Sequence, residues 1–329
     1  MITLQHVQSK ELASDAAYRS NLLGERAKEI AQIIGEPLDA RNAFTDVVNL
    51  VCETRTAKPT DYVYYHSARI PSDKVEVITA DGIVTQRTNS LTAPTAFTFI
   101  DVSSNEEMVK LTDLAKRKED IMARVNESIN DGLNTYEIQY VVALMTAAAS
   151  SSGNEVTLGS GVATFQFQHV IQMLQQVNKY GDTYVLLMGT TVYQDFLLWD
   201  WTDNKNQNIR AQFNNLGITA KQIPAWEVDV DGSTKYQMVA TKAYLVATRV
   251  AGNKKPLLFV RRQLGELANM LGVVSVAGDV PERLVLQSMN PISVGTNNAR
   301  TLSVALIGFE EVVGACTNIY GVSQFERTT

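Results

Sequence analysis

Apolar side chains recur at helical spacing near the N-terminus, give way to alternation and aromatic runs, return to helical spacing, and then switch back and forth. In SDAAYRSNLLGERAKEIAQIIGE, Leu22, Leu23, Ile30, Ile33 and Ile34 fall at helical intervals, and Gly35 followed by Pro37 supplies a stop. A second helix is expected over Ala43 to Cys52. One or two helices cannot enclose a core, so this arm must lie against another surface. From Asp61 to about Asp101 the pattern turns to β. DYVYYHSARI is rich in aromatic and β-branched residues, and KVEVITADGIVTQR sets Val75 and Val77 on one side of Asp81-Gly82 and Ile83 and Thr85 on the other. Asp-Gly readily takes the positive φ angles of a type I′ turn, so a hairpin with its tip at Asp81 and Gly82 is predicted. Two strands are marginal alone, and a hairpin of this kind rests on another surface.

Ser104-Asn105-Glu106-Glu107 has capping-box spacing. Behind it Met108, Leu111, Leu114, Met122, Val125 and Ile129 approximate one apolar stripe, and Asp131-Gly132 marks its end. At about 1.5 Å per residue this predicts a rod on the order of 40 Å long. Its middle, Lys116, Arg117, Lys118, Glu119 and Asp120, is highly charged: a solvated face, or more sharply an intersubunit salt-bridge patch. A further helix is expected from Thr135 to Ala149, and SSSGNEVTLGSG then reads as a loop and a domain boundary.

Beyond the boundary, TFQFQHVIQMLQQVNKYG carries Phe167, Val170, Ile171, Leu174 and Val177 on one helical face. TYVLLMG follows as a short buried strand and TTVYQDFLLW as another helix, an alternation that indicates an α/β domain. VDVDGSTKYQMVA predicts a hairpin turning at Asp231-Gly232, and AYLVATRV and PLLFVRR read as strands. From Leu284 onwards, TLSVALIGF and VVGACTNIYG suggest a return to a sheet. No fixed-period repeat or low-complexity tract interrupts this order.

The 29 Lys plus Arg against 35 Asp plus Glu give a formal net charge of −6, which argues against a strongly basic grip on nucleic acid. Hydrophobic residues make up 45 % of the 329 positions and charged residues 19 %. Ordinary soluble domains carry roughly 25 % charged residues, so this chain can bury a sizeable core and keep apolar area to spare. Cys52 and Cys316 lie too far apart in sequence for a compact zinc or disulfide framework, and a reducing compartment is expected. MITLQHVQSKEL lacks a basic segment followed by an apolar stretch, and the longest apolar run, around Val141 to Ala149, is far short of the roughly 20 residues of a membrane span. A soluble, non-secreted chain of about two domains is the expectation.

Catalytic signatures are missing. The chain has no Gly-x-Ser-x-Gly elbow, Walker loop, His-Glu-x-x-His or Gly-x-Gly-x-x-Gly after a strand, and Gly159 to Gly161 sit in a Ser-rich loop. His6, His66 and His169 are scattered without metal-ligand spacing, and His169 falls within an amphipathic helix, where packing explains it better than catalysis. Asp229 and Asp231 resemble half a calcium loop, but Met238 stands where its Glu is needed, so a hairpin turn is preferred. Neither cysteine has an activating motif. Trp199, close to Phe196 and Leu198, is expected in the core, whereas Trp201 and Trp226 are candidate contact residues. No cofactor or metal is expected, and the chain is not expected to be an enzyme.

This order of parts (arm, β excursion, long helix, α/β domain, closing strands) resembles the major capsid protein of tailed double-stranded DNA bacteriophages, with its α+β Hong Kong 97-type fold. The resemblance covers nearly the whole chain. It implies an N-terminal arm over 1–60, an E-loop over 61–103 and a P-domain with its spine helix over 104–150. It further implies an A-domain over 151–283, with NNLGITAKQIPAWEVD and its Leu216-Gly217 leading to a strand, and a return to the P-domain sheet over 284–329. The implied function is a structural subunit that self-assembles as hexamers and pentamers into an icosahedral shell around the phage genome, in a virion capsid assembled in the host bacterial cytoplasm. Ile78, Asp81, Gly82 and Ile83 at the E-loop tip would contact the next subunit, and Lys116 to Asp120 would form the spine helix's charged patch. Implied partners are the chain itself, a portal protein, packaged double-stranded DNA held without sequence specificity, and decoration proteins. The short arm implies a separate scaffolding protein or unassisted assembly. No membrane is involved. Some members of the family join subunits by a Lys-Asn isopeptide bond; Lys74, Asn297 and Asn298 carry the right groups, but nothing local shows them meeting beside a Glu, and noncovalent assembly is expected. An encapsulin-type nanocompartment shell, and an α/β enzyme or ligand-binding protein, are the alternatives.

Overall fold

A computed structural model describes residues 47–65, 95–157, 164–202, 213, 215–223, 227–230, 233–236, 238–248, 255–265, 282–293 and 300–327. In chain order these form a helical turn α1 (Val47–Val51), β1 (Cys52–Ala57), β2 (Tyr64–Tyr65), β3 (Thr95–Ala96), β4 (Ile100–Ser103), β5 (Glu107–Lys110), the long helix α2 (Leu111–Ser152) and β6 (Glu155–Thr157). Then come α3 (Phe167–Val177), β7 (Tyr184–Met188), α4 (Thr190–Thr202), β8 (Ile218–Gln222), β9 (Glu227–Val230), β10 (Ser233–Tyr236) and β11 (Lys242–Ala247). The series ends with β12 (Leu257–Arg262), β13 (Arg283–Ser293), β14 (Arg300–Cys316), a 3₁₀ turn (Ile319–Gly321) and β15 (Val322–Glu326).

Sheet one is built around β14. Strand β13 pairs with residues 300–310 of β14 and β12 with residues 312–316, end to end along one edge, while β5 and β4 pair with residues 303–306 and 309–312 along the other. Strand β1 adds in parallel to the outside of β12. Because side chains alternate across a strand, the even positions Val304, Leu306, Gly308, Glu310, Val312 and Gly314 turn toward α2. Val304 and Leu306 join Val285 in a cluster with Ile129 and Leu133 of the helix. At Gly308 and Gly314 the helix lies almost on the strand. A Cβ at Gly308 would collide with Ile129 Cγ2, and one at Gly314 would sit 2.5 Å from Leu144 Cδ1. The odd position Val313 points the other way and clusters with Ala57, Leu258 and Val260.

Sheet two has the order β6-β15-β11-β7-β8. All five residues of YVLLM in β7 are buried, as expected of a central strand covered on both faces. Its core joins Val170, Met173 and Val177 of α3 and Val192, Phe196 and Trp199 of α4 to Leu186, Met188, Ala243, Leu245 and Phe325. Helix α3 starts where the backbone N–H of Gln166 donates to His169 Nδ1 at 2.9 Å, which satisfies one of the donors a helix leaves open at its start. The long helix touches this sheet as well. The Thr146 and Tyr244 hydroxyls lie 2.7 Å apart, and just past the helix end Asn154 Nδ2 donates to the Val322 carbonyl at 3.1 Å. Helix α2 therefore spans both sheets.

Two sequence-based boundaries are corrected here. The predicted cap at Ser104 to Glu107 does not start a helix: residues 107–110 are strand β5, and the helix begins at Leu111. Ser104 instead serves the sheet, its backbone N–H donating to the Gly308 carbonyl at 2.8 Å and its Oγ accepting from the Gly308 N–H at 2.9 Å. Pairing with a strand some two hundred residues later outweighs a local cap worth about 1 kcal/mol. Nor does the helix stop at Asp131-Gly132; the two predicted helices are one helix of 42 residues. Ile129 and Leu133, both buried, hold the turns on either side against sheet one. Gly132 is exposed with open space where a Cβ would stand, so replacing Gly132 with Ala is expected to raise stability by about 0.5–1 kcal/mol. Urea unfolding of the two chains measures this, and an unchanged or lower midpoint contradicts it.

The hairpin predicted at Asp231-Gly232 is bracketed by its strands, with Val230 opposite Ser233 and Glu227 opposite Tyr236. Strands β2 and β3 pair antiparallel, Tyr64 with Ala96 and Tyr65 with Thr95, so the two ends of the predicted β excursion come together.

Candidate assembly surfaces and a buried ion network

Among the described residues no group of His, Cys, Asp and Glu is placed to hold a metal, and no helix is long and apolar enough to cross a membrane. His169 is buried between Phe165 and Phe325, with ring centroids 6.1 and 5.0 Å away. Burial lowers its pKa, and Nδ1 is occupied as an acceptor, which suits a neutral packing residue. Cys52 and Cys316 flank Leu257 on neighbouring strands of sheet one. Burial pushes both thiols up, Cys316 to about 12, which makes them poor nucleophiles. Trp199 lies in the core, as expected, and its indole N–H donates to the Phe165 carbonyl at 2.7 Å.

The E-loop tip residues Ile78, Asp81, Gly82 and Ile83 lie outside the described residues, as do Lys74, Asn297, Asn298, Trp226 and Asp231-Gly232. Lys116, Arg117, Lys118, Glu119 and Asp120 fall on the first half of α2, and their side chains are outside the described part. Large apolar side chains are exposed at several places. Tyr62 stands at the edge of the β excursion at 88 %, Met108 on β5 at 56 %, and Leu197 and Leu198 on the outer side of α4. Met108 is register partner to Ala305, so it projects from the face of sheet one opposite α2.

The most elaborate polar site is internal, and motif reasoning missed it. Glu137, on the buried side of α2, receives two hydrogen bonds from Arg261 of β12, from Nε and Nη2, each 2.6 Å. Arg283 of β13 donates through Nε to Glu310 Oε2 at 3.0 Å, and to Asn130 Oδ1 at 2.9 Å and Asn134 Oδ1 at 2.8 Å on the helix. Its Nη2 is also 3.7 Å from Glu137. Burial and then the nearby charge of Glu137 push the Glu310 carboxyl up to about 7, against the pull of Arg283. Burial opposes the charge of Arg261, but the hydrogen bonds and charge of Glu137 outweigh it and raise that pKa. The cluster ties three strands to one helix, with Glu137, Arg283 and Glu310 buried. It is a structural fastening. The only trace in the sequence is the presence of charged pairs, Arg261-Arg262 and Glu310-Glu311, inside otherwise apolar strands.

No family model and no curated protein matches the sequence. Solved structures do match the fold. The capsid structure of the cyanophage P-SCSP1u is similar over 89 % of this chain and 92 % of its own, with 12 % identity and a TM-score of 0.54. A structure from Mycobacterium phage Adephagia matches 92 % of this chain and 97 % of its own at 14 % identity and a TM-score of 0.54. The capsid of an empty GTA particle matches 89 % of this chain and all of its own (100 %) at 9 % identity and a TM-score of 0.52. At such identities the likeness speaks for the fold, and the fold is the one the order of elements implied: the chain has the α+β Hong Kong 97-type fold of tailed-phage capsid proteins.

Proposed function

We propose that this chain is a major capsid protein, a subunit that forms hexamers and pentamers and closes an icosahedral shell around a phage genome. The observation that carries the reading is the match of about nine-tenths of the chain to capsid structures that are themselves covered almost completely. Residues 1–60 would be the arm, 61–103 the E-loop, 104–150 and 284–329 most of the P-domain, and 151–283 most of the A-domain. Two strands cross that division: β12, within 151–283, pairs with β14 in sheet one, and β15, within 284–329, pairs with β11 in sheet two. Exposed Tyr62, Met108, Leu197 and Leu198 suit burial against neighbouring copies. Burial at about 25 cal/mol per Å² of apolar surface, repeated over several interfaces and closed into a cage, holds subunits that single contacts would not. The net charge of −6 suits a container that encloses DNA without gripping it. A portal, scaffolding and decoration proteins would complete the particle.

Electron microscopy of the purified chain is the direct test, with closed particles of uniform diameter expected. Deleting Ile78 to Val84 is expected to leave a folded subunit that no longer closes shells, because the tip that reaches the next copy is gone. Normal, equally stable particles from the deletion overturn the E-loop assignment, and a wild-type chain that stays monomeric at high concentration overturns the shell reading. DNA inside the particles, rather than enzymes, separates a phage capsid from a cellular nanocompartment.

A further inference from the structure

The two ends of the excursion between β2 and β3 return to one spot on sheet one, where one arginine bridges them to the central strand. Val63, before β2, and Phe97 and Phe99, after β3, pack on Ala57, Leu258, Val260 and Val313, on the face of the sheet away from α2. The Phe97 N–H donates to the Val63 carbonyl at 3.0 Å, which extends the β2-β3 pairing down to the sheet. Over Phe99 lies the guanidinium of Arg262, the last residue of β12, with Cζ 4.1 Å from the ring centroid. The same guanidinium donates through Nη1 to Glu311 Oε2 of β14 at 2.5 Å. Its Nε is buried and meets no acceptor among the described residues. An arginine held in place with one donor unmet is positioned by its stack and its ion pair, not by full hydrogen bonding.

These contacts form a chain of fixed parts. Glu311 belongs to the central strand of sheet one, Arg262 to its neighbour, and Phe99 to the stem that carries the excursion. The guanidinium holds both partners at once, the Glu311 carboxylate of β14 and the Phe99 ring, and so ties the stem to the sheet. We propose that Arg262 is a positioning residue that fixes the stem, Val63 to Tyr65 with Thr95 to Phe99, on sheet one, and through that stem the uniformity of the assembled shell. The second half of the statement rests on the shell reading. In the shell reading this stem carries the segment that contacts a neighbouring copy, so looseness at Phe99 loosens that contact. The Phe99-Arg262-Glu311 contact therefore does for assembly what a second layer of residues does for an active site: it aims a group it does not touch.

The test uses Arg262→Lys, which keeps the charge and the reach to Glu311 but loses the planar stack, and Phe99→Leu, which keeps an apolar side chain but loses the ring. Hydrogen exchange of the full chain reads the stem. The Phe97 amide is expected to exchange roughly tenfold faster in both variants, while amides of the β13-β14 ladder keep their wild-type rates. Electron microscopy reads the shell, with a broader spread of particle diameters or open fragments expected from both variants. Unchanged exchange at Phe97 overturns the clamp whatever the particles do. Faster exchange with particles as uniform as wild type overturns the link to assembly. If the wild-type chain forms no particles, the shell reading has failed, and the exchange of Phe97 decides the clamp on its own.

Discussion

Replacing Glu137 with alanine is expected to lower the unfolding free energy by about 3–5 kcal/mol, because the variant leaves Arg261 charged and largely buried with its bidentate partner removed. The loss is mostly the stranded charge rather than the intrinsic worth of the pair, so Glu137→Ala combined with Arg261→Met is expected to recover a large part of it. Urea unfolding of the three chains at equal concentration measures the cycle. A single-variant loss below about 1 kcal/mol would mean that water reaches the site and the network fastens nothing. The pH dependence gives an independent check. In the wild-type chain Glu310 is pushed up to about 7 from its ordinary 4.5, so between those values the folded chain holds a proton that the unfolded chain has released. Stability from this group therefore falls as pH rises across that window, and above it the cost of the buried charge is borne in full. Glu137 is one cause of the shift, so its removal is expected to flatten that slope; a steeper slope in the variant contradicts the assignment.

Much of sheet two could be read from local pattern, since its elements are locally consistent. The buried run at Tyr184–Met188, the helix with Val170 and Val177 on one face, and the helix at Thr190–Thr202 each state their type within a dozen residues. The long helix was harder. Its capping signal at Ser104 was outweighed by pairing with Gly308, and its apparent stop at Gly132 was outweighed by Ile129 and Leu133 packing on sheet one. Both errors have one physical origin. A cap or a glycine is worth about 1 kcal/mol, and a local window cannot register the sheet that forms against it from the other end of the chain.

The polar fastenings show the same limit in sharper form. Arg261-Arg262 and Glu310-Glu311 are plain doublets in the sequence, but adjacent residues of a strand point to opposite faces. Folding splits each doublet. Arg261 and Glu310 go to the α2 face, where they join Glu137 and Arg283, and Arg262 and Glu311 go to the far face, where they meet each other and Phe99. What the alternation makes foreseeable is that each charge of a doublet goes to its own face. Which partner it finds depends on the register of β12 against β14, Arg261 opposite Val312, and no spacing rule contains that register.

Trp199→Ala is expected to cost about 3–5 kcal/mol, the range for deleting a large aromatic from a packed core. The indole ring lies 5.1 to 6.0 Å, centroid to centroid, from the rings of Phe165, Phe167, Phe196 and Phe213, so its loss leaves a cavity lined by four rigid groups that cannot all collapse inward. It also leaves the Phe165 carbonyl without its 2.7 Å donor, at the start of α3, where Asp195 Oδ2 accepts from the Phe165 N–H at 2.9 Å. Trp199→Phe helps weigh the two terms: it keeps a six-membered aromatic ring and loses the pyrrole part with its N–H, and a cost of about 1–2 kcal/mol is expected from the unpaired carbonyl and the smaller void. Urea unfolding gives the magnitudes, and near-ultraviolet circular dichroism reports whether the aromatic cluster loses its fixed packing. The exposed Leu197 and Leu198 precede Trp199 on the same helix, so the tryptophan anchors the element that presents them outward. Equal losses for Ala and Phe would place the whole effect in the hydrogen bond and refute the packing account, whereas a loss below about 1 kcal/mol for Ala would mean that α4 is not held on sheet two by this ring.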